Sequence, residues 1–184
     1  MLITTAQTTT DLREMLALQQ QNLSRNLSPD VQREQGFVTL QYTFDQMQQM
    51  HNLGPSVIAK DGERVVGYAI TTVPEARPFV PELETLFVML DAVQYAGKPL
   101  SQHAYYVVGQ VCVAEGYRGQ GLFDQMYQHH RATYGDQFRL FITDISARNT
   151  RSLRAHERVG FRVIHQFYEP DAGEEWALVV WDWQ

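Results

Sequence analysis

The segment Gln110-Val-Cys-Val-Ala-Glu-Gly-Tyr-Arg-Gly-Gln-Gly-Leu-Phe123 limits the fold more than any other part of the chain. A strand is expected to end near Val113. A tight loop holding Gly119 and Gly121 follows, and a helix is expected from Gly121 to about Tyr134. Glycines let the backbone come close to a ligand. A helix N-terminus leaves several N–H groups unpaired and carries partial positive charge, so a strand–loop–helix of this kind suits a pyrophosphate. Arg118 adds a candidate charge-assisted contact. The loop lacks the Gly-Lys-Ser/Thr of a P-loop and the spacing of a dinucleotide fingerprint. Taken alone it is an anion-site signal that a plain glycine turn would also produce.

The flanking pattern supplies the rest of the architecture. Leu2 to Thr5 reads as a first strand. Thr10 or Asp11 is expected to cap a helix running to about Leu27, with Asp11 and Glu14 spaced as a capping box and Leu12, Met15, Leu16 and Leu23 at helical spacing. Ser28-Pro29-Asp30 starts a shorter helix, and a third is expected at about Phe44 to His51. Ser56 to Lys60 and Arg64 to Val73 form a hairpin about the turn Asp61-Gly62-Glu63. Pro74 to Gln102 stands out as an insertion, stiffened by Pro74, Pro78 and Pro81, with Leu83, Leu86, Phe87 and Leu90 at helical spacing. Strands at Tyr105 to Val113 and Arg139 to Asp144, a helix at Asn149 to Val159 closed by Gly160, and strands at Phe161 to Tyr168 and Glu174 to Trp181 complete the order. The turn Glu169-Pro170-Asp171-Ala172-Gly173 joins the last two. This order predicts an α/β fold: one domain over residues 1–184 around a mixed sheet, with helices on both faces.

Composition narrows the function classes. The net charge is −6 with no block of Lys or Arg, which disfavours nucleic-acid binding driven by phosphate neutralisation. No run of about 18 apolar residues suggests a membrane span, and the N-terminus does not read as a signal peptide. The single cysteine, Cys112, fits a reducing cytoplasm. Asp144, His103, His129, His130 and His165 form no spacing that marks a metal site, and His129-His130 read as a solvated pair.

Arg118-Gly-Gln-Gly-Leu-Phe123 resembles the Arg/Gln-x-x-Gly-x-Gly/Ala pyrophosphate loop of the GCN5-related N-acetyltransferase (GNAT) family. Asn149-Thr-Arg-Ser-Leu-Arg-Ala-His-Glu-Arg-Val-Gly-Phe161 is similar to that family's other hallmark, an Asn that opens a helix ending in Gly-Phe. The two lie about 30 residues apart with one helix and one strand between them, as in the family. The resemblance implies a mostly antiparallel sheet of about seven strands, splayed where coenzyme A binds. It also implies acetyl-CoA as co-substrate and transfer to a primary amine, on a small molecule or a peptide, by direct attack in a ternary complex without a metal.

The resemblance implies site roles by position. The backbone of Arg118, Gly119, Gln120, Gly121, Leu122 and Phe123 would hold the pyrophosphate. Val111 and Val113 would pair with the pantetheine amides, and the Val111 N–H would polarise the thioester carbonyl. Asn149, with Ser152 helping, would bind the pantetheine arm; a simple helix N-cap is the other reading of Asn149. Strand alternation turns Cys112 away from Val111 and Val113, into the core.

Three positions depart from the family pattern. Phe123 stands where Gly or Ala is preferred, so its ring must turn into the core. His156 replaces a frequent Tyr that protonates the leaving thiolate; it is either that acid or a core histidine. Val107 replaces a Glu that serves some members as base, which leaves Tyr105, Tyr106, His103 and Gln110 as the nearby groups able to orient the amine, with no single essential base expected. The bare Val107 also keeps open a competing reading, a non-catalytic module that binds and senses acyl-CoA. The insertion is either a lid on the acceptor site or a cover for the core or a homodimer contact.

Overall fold

The computed structural model describes residues 1–170 and 172–184, so Asp171 of the expected last turn lies outside the described residues. The chain runs β1 (Leu2–Thr5), α1 (Thr9–Asn22), α2 (Pro29–Gln35), α3 (Phe44–Leu53), β2 (Val57–Asp61) and β3 (Arg64–Thr72). Next come α4 (Glu84–Ala92), β4 (Gln94–Tyr95), β5 (Lys98–Pro99), β6 (Tyr105–Val113), α5 (Leu122–Tyr134), β7 (Leu140–Ser146), α6 (Thr150–Val159), β8 (Arg162–Glu169) and β9 (Glu174–Asp182). Seven strands form one sheet in the order β1-β2-β3-β6-β7-β9-β8. Every neighbouring pair is antiparallel except β6 and β7, which are parallel. This is the mixed, mostly antiparallel seven-stranded sheet that the sequence implies.

Local chemistry sets where the helices begin and end. Thr8, and not Thr10 or Asp11, caps α1: its Oγ1 accepts from the Asp11 N–H at 3.1 Å, and the Asp11 carboxylate accepts from the Thr8 N–H at 3.0 Å. Asp11 therefore supplies the far half of the capping box that had been assigned to Glu14. The helix stops at Asn22 and not near Leu27, because Leu23 turns extended (φ −61°, ψ 134°) and bridges to Val38. The insertion holds more structure than one helix. Turns of 3₁₀ helix at Pro74–Phe79 and Pro81–Leu83 lead into α4, and a small β4–β5 hairpin turns through Ala96 and Gly97, both at positive φ.

Two apolar clusters sandwich the sheet. One joins α1, α3 and α4 through Leu12, Met15, Met50, Leu86, Phe87 and Leu90. The other joins α5 and α6 through Tyr127, Tyr134, Val159 and Phe161. Strand β6 serves both, and its register matters. Ala69 pairs with Val111 and Thr71 with Val108, so β6 carries one extra residue, a bulge at Gly109-Gln110. Before the bulge, Tyr105 and Val107 face the α1 side and Tyr106 and Val108 face the α5 side. After it the parity flips: Gln110 bonds to Gln19 of α1, and Cys112 joins the same cluster. Glycine is required at 109, because a Cβ there would lie 2.7 Å from Thr72 Oγ1 and 2.9 Å from Tyr42 Oη.

Candidate active site

The parallel pair β6–β7 comes apart. Its ladder holds only Tyr105↔Leu140, Tyr106↔Phe141 and Val107↔Ile142, while the strands run on to Val113 and Ser146. The Thr143 hydroxyl donates to the Val108 carbonyl at 3.0 Å and closes the base of the gap. Backbone direction along the β6 arm follows from one bond. The Ala114 N–H donates to Val66 O at 2.8 Å, so Ala114 and Cys112 turn their peptide groups toward β3. Val111 and Val113, one residue out of phase, turn theirs into the gap. Val113 O there accepts Arg118 Nε at 3.0 Å.

Two cavities meet at this gap, an outer cleft of about 790 Å³ and an inner chamber of about 480 Å³. Phe37, Val38, Val111, Asn149 and Ser152 line both. The outer cleft runs over the loop at 118–123 and along α6. Helix α5 starts at Gly121, in left-handed conformation (φ +77°), with no side-chain cap. Its first-turn N–H groups are left for a ligand. A Cβ on Gly119 would meet nothing within 4 Å among the described residues, so the loop stands open to the cleft. Arg33, Arg151, Arg154 and Arg158 add cationic side chains in excess of the two acids there, Glu34 and Asp124, although Arg158 pairs with Asp124 and Arg33 with Asp30. An uncapped helix N-terminus in a cationic cleft fits the phosphates of coenzyme A.

Several sequence-identified residues are already engaged. Arg118 donates to Val113 O, to Gln35 Oε1 at 3.1 Å and to Asn22 Oδ1 at 2.6 Å. It ties the loop to α1 and α2 more than it reaches for an anion. Asn149 caps α6 by accepting from the Ser152 N–H at 3.2 Å, and its Nδ2 donates to Phe37 O at 3.2 Å. It braces the junction of the two cavities. Leu122 is buried, and Gln120 points outward and bonds to Gly116 O at 3.1 Å. The half-buried Phe123 ring lies 4.7 Å from Tyr127 and 5.0 Å from His156, centre to centre. Cys112 is buried, and burial pushes its thiol up to about 12.

The inner chamber lies between residues 37–40, the insertion and the two diverging strands. Glu82, Asp144 and Glu169 line it, with no lysine or arginine among its described lining residues. Burial, with the Glu169 charge beside it, raises the Asp144 carboxyl to about 7. Gln110 forms part of the wall and is fully occupied: it accepts from Gln19 at 2.9 Å and from Tyr68 at 2.7 Å and donates to Leu40 O at 2.8 Å. The insertion contributes Pro81, Glu82, Leu83, Thr85 and Leu86, so it shapes this chamber directly. Glu84 does not; it pairs with Arg77, which also holds Asp91.

The proton-transfer candidates of the sequence lie as follows. Tyr106 is fully buried on the α5 side, 3.0 Å from His130 Nδ1, away from the gap. Tyr105 is buried in the cluster that holds α4, outside the chamber lining, with its phenol pushed up to about 12 by burial. His103 bonds to Tyr95 O at 2.8 Å, also outside the chamber lining. His156 borders the chamber, but both ring nitrogens are taken: Nδ1 lies 2.8 Å from Ser152 O and Nε2 2.5 Å from the Tyr127 hydroxyl. Burial lowers its pKa to about 4. The neutral ring spends its one N–H on the Ser152 carbonyl and has none to offer a thiolate. His130 is buried, not solvated, bonding Tyr106 and Ala69 O. Sequence reasoning weighs Asp144 only among possible metal ligands, with no metal spacing. The signal for it was a lone acid in the apolar strand Leu140-Phe-Ile-Thr-Asp-Ile-Ser146.

The profile of the acetyltransferase (GNAT) family matches residues 21–161. Among solved structures, the ribosomal-protein-S18-alanine N-acetyltransferase from Escherichia coli is similar at 13% identity, over 98% of this chain and 92% of that one, with a TM-score of 0.62. Ribosomal-protein-alanine N-acetyltransferase from Brucella melitensis is 16% identical over 99% of both chains, with a TM-score of 0.64. NAA60 of Arabidopsis thaliana, solved with acetyl-CoA, is 17% identical over 98% of both chains, with a TM-score of 0.63. No protein of curated function matches the chain.

Proposed function

Since this chain belongs to the acetyltransferase (GNAT) family and is an N-acetyltransferase, we propose that residues 1–184 act as one domain that transfers acetyl from acetyl-CoA directly to a primary amine held in the inner chamber. The observation that carries this reading is the meeting of the two cavities at Val111. A cationic cleft with an uncapped helix end suits the phosphates, and a chamber lined by carboxylates suits an ammonium group. Coenzyme A delivers the thioester. The chain holds its pyrophosphate on the N–H groups of residues 119–123, the Arg118 N–H being bonded to Glu115 O, and its pantetheine arm along the free edge of Val111 and Val113. The Val111 N–H, turned into the gap, is placed to stabilise the oxyanion that forms on attack. Holding both reactants in one gap supplies alignment.

The carboxylate-lined chamber weighs against a module that only senses acyl-CoA, since a sensor has no use for an acceptor room. Peptide and protein N-termini and small amines remain the acceptor classes, and a cytoplasmic setting fits the reading. Among the described residues no helix is long and apolar enough to cross a membrane. The test is thiol release from acetyl-CoA over a panel of peptides, polyamines and amino sugars. Turnover with an amine is expected; tight acetyl-CoA binding without turnover on any amine would reject the reading.

A further inference from the structure

We propose that Asp144 is the group that receives the acceptor's ammonium in the inner chamber and removes the proton that blocks its attack. This rests on the amine-acetylation reading above and adds the residue that the sequence does not reveal.

Three observations support it. The first is position. Asp144 lies two residues past Ile142, the last rung of the β6–β7 ladder, on the β7 arm; Val111 lies on the β6 arm. A thioester carbonyl bound in the gap would have an oxyanion donor on one side and a carboxylate on the other. The second is availability. Of the three acids in the chamber, Glu82 is exposed and accepts from Gln46 at 2.8 Å, and Glu169 accepts from the Ala172 N–H at 2.5 Å. Among the described residues the Asp144 carboxylate accepts from no other side chain, only from its own backbone N–H. The third is its surroundings. The groups facing the chamber around it are Glu169 from β8, Glu82 from the insertion, His156 and Ser152 from α6, and Gln110 from β6. The charge of Asp144 also bears on Tyr42, whose hydroxyl donates to Gly109 O at 3.0 Å. Among the described residues no cation holds the carboxyl down, and burial with the nearby Glu169 charge lifts it to about 7. That suits a group which must take a proton and give it up again near neutral pH.

The step balances as follows. An ammonium N–H proton moves to the Asp144 carboxylate, leaving a neutral amine and a carboxylic acid. The amine lone pair forms the C–N bond at the thioester carbonyl, and its π electrons move to oxygen. Collapse of that intermediate breaks the C–S bond, with the pair leaving on sulfur. The second N–H proton goes to the thiolate, and Asp144 releases its proton to solvent.

The test uses Asp144→Asn and Asp144→Glu in the full chain. Calorimetry reads acetyl-CoA affinity, and steady-state rates with an accepted amine are taken across pH. In the wild type, kcat/KM should fall as pH drops through about 7, because protonation of Asp144 removes the base. In Asp144→Asn, kcat should drop about 100-fold or more and that limb should vanish, so the rate climbs only as free amine forms in solution. Acetyl-CoA affinity should stay within about twofold, and Asp144→Glu should recover part of kcat. The Asn variant should also be no less stable above neutrality. The carboxyl ionises at higher pH folded than unfolded, so its charge costs stability as pH rises through about 7. Wild-type turnover alongside an Asn variant within about threefold of it would overturn this assignment alone. A wild-type profile without the acid limb would do the same, even if the Asn variant fails to fold. Absence of turnover with every amine would overturn the acetylation reading itself, and this assignment with it.

Discussion

The outer cleft and the inner chamber are neighbours of opposite character. Five arginines, Arg33, Arg118, Arg151, Arg154 and Arg158, line the outer one against Glu34 and Asp124; Glu82, Asp144 and Glu169 line the inner one, with no lysine or arginine among its described lining residues. Yet the whole chain carries a net charge of only −6, and no basic or acidic block marks either site in the sequence. Folding sorts the charge. Helix α6 brings Arg151, Arg154 and Arg158 to one cleft, while β7, β8 and the insertion bring single acids to the other. Under the proposed reaction an anionic and a cationic reactant would be drawn to the two cavities, which meet at Val111.

If the halves are separable, damage to one should leave the other intact. The largest effect is expected at the loop. A side chain at Gly121 would strain a left-handed position by about 1–2 kcal/mol. Gly121→Glu adds a negative charge at the proposed pyrophosphate site, and acetyl-CoA affinity by calorimetry should fall more than about 100-fold with circular dichroism unchanged. Wild-type affinity would detach the loop from the cofactor. At the chamber mouth the effect is smaller. Glu82→Gln removes one exposed charge and should raise the KM of a cationic acceptor about two- to fivefold while acetyl-CoA affinity holds. Equal changes in both would mean that the halves are not independent. The smallest effect on rate is expected at His156. His156→Phe should cost about 1–3 kcal/mol in stability by chemical denaturation, because the Tyr127 hydroxyl loses its partner inside the core. Turnover should fall less than about threefold; a drop of 100-fold with the fold intact would restore it as the acid.

The two halves also differ in how far they can be read from sequence. The outer cleft also draws on Asn22 and on residues 33–38 and 111–113, but two of its walls, residues 117–124 and the α6 face from Asn149 to Arg158, were legible as a glycine loop and a capped helix. The sheet, too, follows from alternation and turn residues. The inner chamber is gathered from residues 37–40, 81–86, 109–111 and 143–146, from Asn149, Ser152 and His156, and from Glu169, Ala172 and Trp176, six stretches with no shared local pattern. Its orientation depends on the bulge at Gly109-Gln110, which reverses the side-chain parity of β6. Alternation counted straight through that point could not show which tyrosine meets the acceptor; neither does. His156 was placed on the right helix, but its engagement by Tyr127 depends on a neighbouring helix packing against it. Asp144 was visible as an acid among apolar residues and meant nothing until the ladder was seen to stop two residues before it.

The most direct test of the central claim is whether acetyl ever rests on the protein. If amine and thioester meet in one gap as proposed, no acetyl-enzyme should form, and the buried Cys112 thiol, pushed up to about 12, should have no part in the transfer. Intact-mass measurement after mixing with acetyl-CoA alone should show the unmodified chain, and initial-rate lines for varied acetyl-CoA at several amine concentrations should intersect. A chain one acetyl group heavier, which loses that mass when amine is added, together with parallel rate lines, would contradict the account.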